Sequence, residues 1–402
     1  MNLRKFLKTL ESERKLTRIK KEVDTKYEIA NVIYSMNEKP VIFENVKNYD
    51  MPVFAGITSD RDIIAKGLDT TKEKLLFKLV DALRNPKEPE IIKKAPCQEI
   101  IDKEPDLDKL PILYHLPRDG GRYGSATVAT IKDPDSGRNV SYHRIMQRSK
   151  NKFTARLIKK RQTRTTYDKI DGDLEMAICI GNSVAVMVAA SLGPEPGVDE
   201  FSLANALDKT PMVKCVTKDL EVPAESEIVL EGRITRNLDD EGPFVDLTET
   251  RDFVRQEPVF VVDCITRRKD AMYQALIPGR LEHKTLMGMP KEPTIYDKVS
   301  SVVDCKNVLV TMGGGSWLHG IVKKNKKDPS DAKKAIELVH YCLTKIGIDP
   351  ETGKIDIDRI STGITASQRS NIGLVKEIIN ELEQMMGKSI KIDDIVKEEI
   401  GR

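Results

Sequence analysis

The chain has 402 residues, beyond the ~250–300 at which a single core stops growing, so two or three domains are expected. A hydrophobic share of 39% supports packed cores and excludes a disordered chain. The 66 basic and 63 acidic side chains leave a net charge of +3, which excludes a global nucleic-acid or membrane signature and confines any anion preference to local clusters. Residues 1–23 mix charges and lack the apolar core of a signal peptide, and no apolar run approaches the ~20 residues of a membrane helix. Six scattered cysteines without a C-x-x-C pair argue against a zinc site or a disulfide scaffold, so a reducing cytoplasm is expected. Dense Lys, Glu and Ile beside a single Trp suit a thermophile.

In chain order, residues 1–85 alternate helix and strand signals. An amphipathic helix is expected over 3–10, strands at 39–43 and 51–54, and a helix after the cap Ser59-Asp60. Leu75, Leu76, Leu79 and Leu83 give helical spacing across 72–84. Prolines at 86, 89, 96, 105 and 111 then mark a linker. From there the texture turns to β: strands are expected at 125–131, 139–147, 152–158, 176–180, 227–231 and 258–262, with one short helix capped by Asp199. So many strands suggest a barrel or a sandwich. Residues 296–402 are mixed, with a strand at 308–311, Gly313-Gly-Gly-Ser-Trp-Leu-His319, and helices over 330–343 and 370–386. The division is 1–105, an N-terminal α/β domain; 106–295, a β domain; and 296–402, a C-terminal α/β domain and tail ending in a helix, α+β in class.

Four features could carry chemistry. On a strand over 139–147, Asn139, Ser141 and His143 share one face and Val140, Tyr142 and Arg144 the other, which sets Arg144 among apolar neighbours. A buried arginine needs an anion or a carboxylate, whether a substrate or a barrel-rim partner. In Glu241-Gly-Pro-Phe-Val-Asp246, two carboxylates bracket a stiff turn; held close, one would gain a raised pKa and serve as a proton donor, while in solvent the loop would be an ordinary acidic surface. Asn139 and Glu200 offer hard oxygen ligands suited to Mn2+ or Mg2+, although an acid at a helix start is commonly a cap. The run Arg156-Leu-Ile-Lys-Lys-Arg161-Gln-Thr-Arg164 mixes guanidiniums with hydroxyls, a composition for a phosphate, a solvated face or RNA. The P-loop and dinucleotide fingerprints are absent, and His115, His283 and His340 show no metal spacing and are expected to be structural or surface residues.

Taken in order, these segments resemble the UbiD-type family of decarboxylases. Leu110-Pro-Ile-Leu-Tyr-His115 and Asp119-Gly-Gly121 come first, then the 139–144 segment, Val198-Asp-Glu-Phe-Ser-Leu203, Asp219-Leu-Glu-Val-Pro223, Glu241 to Asp246 and the glycine run at 313–315. The ordered matches cover roughly residues 1–325. The resemblance implies a flavin-reductase-like split β-barrel over 106–295 that binds prenylated FMN, supplied by a partner flavin prenyltransferase, and an oligomerisation role for 296–402. It places Arg144, Glu241 and Asp246 at the reacting centre: Arg144 orients the substrate carboxylate, Glu241 tunes it and Asp246 donates the proton. Tyr142, His143, Arg144, Arg156, Leu157, Ile158 and Arg161 fall on cofactor positions. Asn139 and Glu200 fall on ligands of a divalent metal, taken as Mn2+, with K+ as a further ion. The family's third metal ligand, a histidine, has no match roughly where Lys160 stands, and Arg161-Gln-Thr departs from its Arg-Gly-Gly.

An aromatic share of 5% and the basic run favour a phosphorylated aliphatic acid over an aromatic one. Within the family the chain is similar in character to archaeal anhydromevalonate phosphate decarboxylases, which form isopentenyl phosphate and CO2 from trans-anhydromevalonate 5-phosphate in a mevalonate route to isoprenoids. The alternatives are a decarboxylase of an aromatic acid such as a 4-hydroxybenzoate derivative, and a flavin-binding oxidoreductase. A cytoplasmic homo-oligomer without nucleic-acid or membrane partners is expected.

Overall fold

The computed structural model describes residues 1–344 apart from 195–196, 248, 312–318, 326 and 329, together with 347–348 and 355–356. Helices begin where the sequence offers caps. Asn2 accepts the Lys5 N–H ahead of Leu3–Ser12, whose Leu3, Phe6, Leu7 and Leu10 form one buried stripe. Asp60 accepts the Ile63 N–H at 2.9 Å ahead of Arg61–Gly67, and Lys72–Arg84 follows. The strands Thr17–Ile19, Val41–Phe43 and Val53–Ala55 form a small mixed sheet, completed by Tyr273–Gln274 from much later in the chain.

A nine-stranded antiparallel sheet supports everything else. Its order is Tyr123–Gly124, Ile145–Ser149, Lys152–Ala155, Arg255–Arg267, Ile228–Glu241, Leu174–Ile180, Val128–Asp133, Gly137–Tyr142, with Ile100–Asp102 also paired to Arg255–Arg267. The two longest strands pair with register shifts at Glu231/Gly232 and between Ile234 and Leu238. Gly232 is required there, because a Cβ would lie 2.1 Å from the Val261 carbonyl oxygen. The sheet is buried on both faces, and the alternation is visible within one strand. Ala177 and Cys179 enter a core shared with the first helix and with Val184–Leu192 and Glu200–Leu207. Met176, Ile178 and Ile180 enter a second core with Ile29, Phe43, Phe153 and Phe260. A third core joins Leu76 and Val80 to Ile295, Val299, Val308 and Val310, and Arg61 donates to Glu292 across the same contact.

The structure departs from expectation at two places. The segment 139–147 is not one strand: it breaks at His143-Arg144 between Gly137–Tyr142, which pairs with Val128–Asp133, and Ile145–Ser149, which pairs with Lys152–Ala155. The β-rich stretch holds more than the one helix capped by Asp199; Gln162–Lys169, Val184–Leu192 and Leu281–Gly288 are helical too. Val184–Leu192 escaped notice because eight of its nine residues are buried, so it carries no polar face to mark a helical period. The glycine run at 313–315 and the helix expected over 370–386 lie outside the described residues.

Candidate active site

The three residues expected at a reacting centre lie around the point where the long Ile228–Glu241 strand ends and the chain breaks at 143–144. The break turns Arg144 out of the face it would share with Val140 and Tyr142. Tyr142 stays with the helical layer, its hydroxyl donating to the Met187 carbonyl at 3.1 Å. Arg144 instead meets Glu241: Nε and Nη2 donate to the two carboxylate oxygens at 3.0 and 2.8 Å. Glu241 is completely buried. The Tyr123 hydroxyl donates to the same carboxylate at 3.1 Å and accepts the Gly242 N–H at 3.0 Å, and the guanidinium lies 4.8 Å over the Phe244 ring.

A residue that sequence reasoning passed over completes the clamp. Nη2 of Arg144 also donates to Asp252 Oδ2 at 2.7 Å, and Arg255 donates to the other oxygen at 2.5 Å. The loop 242–254 brings Asp252 back by folding on itself: the Asp252 N–H reaches Phe244 O at 2.8 Å, and Asp246 N–H reaches Thr250 O at 2.9 Å. The only local signal for Asp252 was its spacing of three from Arg255. Burial opposes the charge on Arg144, yet Glu241, Asp252 and Asp246 together outweigh it and raise its pKa. Asp252 is held below its ordinary value despite burial, through Arg255 and Arg144.

Asp246 is half-buried on the same loop, its carboxylate accepting the Leu247 N–H at 2.6 Å. Its charge acts on both Arg144 and His283. His283, expected to be a structural or surface residue, lies within reach of the charge on Asp246. Its Nδ1 accepts the Gly279 N–H at 2.9 Å, which leaves the proton of the neutral ring on Nε2. Burial lowers its pKa to about 4 against the pull of Asp246, so the ring is neutral at physiological pH. The Asp119-Gly-Gly motif packs on the Gly-Pro turn: Gly120 N–H reaches Pro243 O at 2.7 Å, and a Cβ on Gly120 would sit 2.1 Å from Gly242 O. Asp119 is buried there with its pKa raised to about 6 by desolvation.

The candidate cofactor and metal positions lie on Gly137–Tyr142 and the break after it, on the segment that follows Lys152–Ala155, and at the start of the helix Glu200–Leu207. Asn139, Ser141 and His143 share a face as expected, and all three approach Thr163 Oγ1, at 3.4, 3.3 and 3.0 Å. His143 Nδ1 also approaches the Arg156 carbonyl at 3.1 Å, so both ring nitrogens are tied to protein. Arg156 pairs with the buried Glu257, whose carboxylate also accepts the Leu157 N–H at 3.3 Å. Leu157 is buried and Ile158 exposed. Arg161 heads the helix Gln162–Lys169, which has no side-chain cap, and no carboxylate partner is found for it among the described residues. A guanidinium beside an open helix N-terminus suits a flavin phosphate.

For a divalent ion the fit is partial. Glu200 and Asn139 are both buried, and Glu200 accepts the N–H of Val140, next in sequence to Asn139, at 2.8 Å. Desolvation raises Glu200 to about 7, a cost a bound cation would offset. Among the described residues no three His, Cys, Asp or Glu side chains group as a metal site. Lys160, roughly where the third ligand was expected, has a backbone φ of +62°.

An arginine held in place by two carboxylates, with a further carboxyl group on the adjoining turn, suits an enzyme that orients a carboxylate substrate and delivers a proton. Comparison with known proteins gives the class: residues 7–83 match the 3-octaprenyl-4-hydroxybenzoate carboxy-lyase N-terminal domain and 90–281 the Rift-related domain of the same enzymes. The chain belongs to the UbiD family and is a decarboxylase of that type. It is 38% identical over 326 residues to the anhydromevalonate phosphate decarboxylase of Methanothermobacter thermautotrophicus, covering 79% of this chain and 76% of the relative. The enzyme of that name from Methanosarcina mazei is 37% identical over 343 residues, 84% and 79% of the two chains. Among solved structures, an evolved dimeric form of the UbiD-class enzyme HmfF from Pelotomaculum thermopropionicum, in complex with prFMN, superposes with a TM-score of 0.82 at 36% identity, covering 85% of this chain and 83% of that one. The vanillic acid decarboxylase of Sedimentibacter hydroxybenzoicus in its open form gives 0.78 at 26% identity, covering 84% and 76%. No described helix is long and apolar enough to cross a membrane.

Proposed function

We propose that this chain decarboxylates trans-anhydromevalonate 5-phosphate to isopentenyl phosphate and CO2, with prenylated FMN as its cofactor, in an archaeal mevalonate pathway. The observation that carries the chemistry is the part-buried Arg144, braced by Glu241 and Asp252, with Asp246 on the loop that carries Asp252. The similarity to decarboxylases of that name supports the substrate.

When bound, prenylated FMN supplies the electron sink that no side chain offers for loss of CO2 from an unsaturated carbon. Tyr142, His143, Arg144, Arg156, Leu157, Ile158 and Arg161 would hold it, with Arg161 on the phosphate. Asn139 and Glu200 would hold Mn2+, with K+ as a further ion. Arg144 orients the substrate carboxylate, because its charge is fixed and its planar fork is held by Glu241. Asp246 then gives a proton to the carbon that lost CO2, and it must regain one from solvent in each turnover.

The same reading takes the nine-stranded sheet as a split β-barrel, divides the chain at 105 and 295, and makes the protein a cytoplasmic homo-oligomer whose cofactor comes from a flavin prenyltransferase. The aromatic-acid alternative has one observation in its favour, the likeness to the vanillic acid decarboxylase. Protein co-expressed with a flavin prenyltransferase should carry prenylated FMN by mass and absorbance, and should release CO2 from trans-anhydromevalonate 5-phosphate faster than from hydroxybenzoates. Bound plain FMN alone, or a preference for the aromatic acids, would overturn this assignment.

A further inference from the structure

The turn that carries Asp246 is tied by charge to the helix Leu281–Gly288. Glu249 bonds back to the acid's carbonyl through its N–H at 2.9 Å. Its carboxylate pairs with Lys284 and lies 3.7 Å from the Arg280 guanidinium. One carboxylate therefore answers two cations. The approach is close by construction: a Cβ on Gly279 would sit 2.7 Å from Asp246 O and 3.6 Å from Glu249 Cγ. Arg280 is further steadied over the Tyr34 ring at 4.2 Å. The helix N-terminus takes no part, because Glu38 already accepts the Leu281 and Glu282 N–H groups at 2.7 and 2.8 Å.

The position of this cluster matters. Arg144 and Lys284 both act on the charge of His283, and Asp246 acts on it as well. Lys284 follows His283 directly in sequence, and the His283 ring is fixed on the N–H of Gly279, which packs on the Asp246 carbonyl, so the cluster adjoins the turn that carries the acid. Lys284 is 16% exposed, while the glutamate that neutralises it is 47% exposed and half in solvent. Such a glutamate is released at little cost, and a phosphate monoester brings more charge and more acceptor oxygens to the same donors.

We propose that Lys284 and Arg280 form the subsite for the substrate's phosphate, with Glu249 as the anion that the phosphate displaces. This rests on the reading above that the substrate is a phosphorylated acid. The carboxylate end then lies on Arg144, the phosphate end on Lys284 and Arg280, and His283 and Asp246 line the interval.

The test compares kcat and KM of the prenylated-FMN holoenzyme for trans-anhydromevalonate 5-phosphate and for the same acid without phosphate. Lys284→Gln should raise KM for the phosphorylated acid roughly tenfold to a hundredfold, with a smaller change in kcat, and should lower the preference for it over the unphosphorylated acid. Lys284→Arg should restore most of that preference. Glu249→Gln should lower KM for the phosphorylated acid, a gain that misfolding cannot produce. A wild type active on the phosphorylated acid whose preference is unchanged in all three variants would overturn the subsite and leave the functional reading standing. A wild type inactive on that acid would overturn the functional reading, and the subsite with it.

Discussion

Exchanging Glu241 for Gln keeps the shape of the side chain and removes its charge. In the folded protein Glu241 is fully buried and takes three hydrogen bonds, two from Arg144 at 3.0 and 2.8 Å and one from Tyr123 at 3.1 Å. The amide can still accept from Nε and Tyr123 with its oxygen, but its NH2 group then faces the Nη2 donor. Removing one partner of a buried ion pair costs about 3–5 kcal/mol. Asp252, at 2.7 Å from the same nitrogen, keeps the guanidinium neutralised, which puts Glu241→Gln at the lower end, about 3 kcal/mol. Asp252→Asn alone leaves the bidentate pair in place and should cost less. The double variant should cost more than the sum, because it strands a buried cation. Urea denaturation of all three measures this, and decarboxylation by the loaded enzymes should fall in the same order. A Glu241→Gln protein within about 0.5 kcal/mol of wild type, with KM unchanged, would refute the claim that this carboxylate holds Arg144.

Tyr123→Phe removes a donor to Glu241 and an acceptor for the Gly242 N–H, and should cost about 1–2 kcal/mol in the same assay. Glu282 is buried, and desolvation raises its pKa to about 7 from an ordinary 4.5. Between those values the folded state binds more protons than the unfolded one, so stability should fall by up to about 3 kcal/mol as pH rises through the window and level off above it; unfolding midpoints across the window should be much flatter for Glu282→Gln. Arg161→Met should purify with less bound flavin than wild type after co-expression with the prenyltransferase, read by absorbance per protein. Equal loading would remove Arg161 from the phosphate position.

Much of the frame was legible because it is local. The spacing of Leu75, Leu76, Leu79 and Leu83 predicted 72–84, and the helix runs Lys72–Arg84. Asp60 and Asp199 announced helix starts and cap them. The alternation along 139–143 predicted that Asn139, Ser141 and His143 share a face, and Thr163 meets all three. The acids at 241 and 246 and the arginine at 144 were also visible, as residue types needing partners.

Which partners they take was decided only in three dimensions. Arg144 reaches Glu241 because the strand breaks beside it, and that break follows from Tyr142 and Ile145 pairing with different neighbours in the sheet. Asp252 lies 108 residues from Arg144, and its place on the guanidinium comes from a loop folded on its own backbone. His283 comes to Asp246 from another element, through Gly279, where only the absence of a side chain permits the approach. Periodicity and capping act over a few residues and can be read along the chain. Burial of a charge, and the choice of the group that neutralises it, depend on which distant segments the packed sheet brings together.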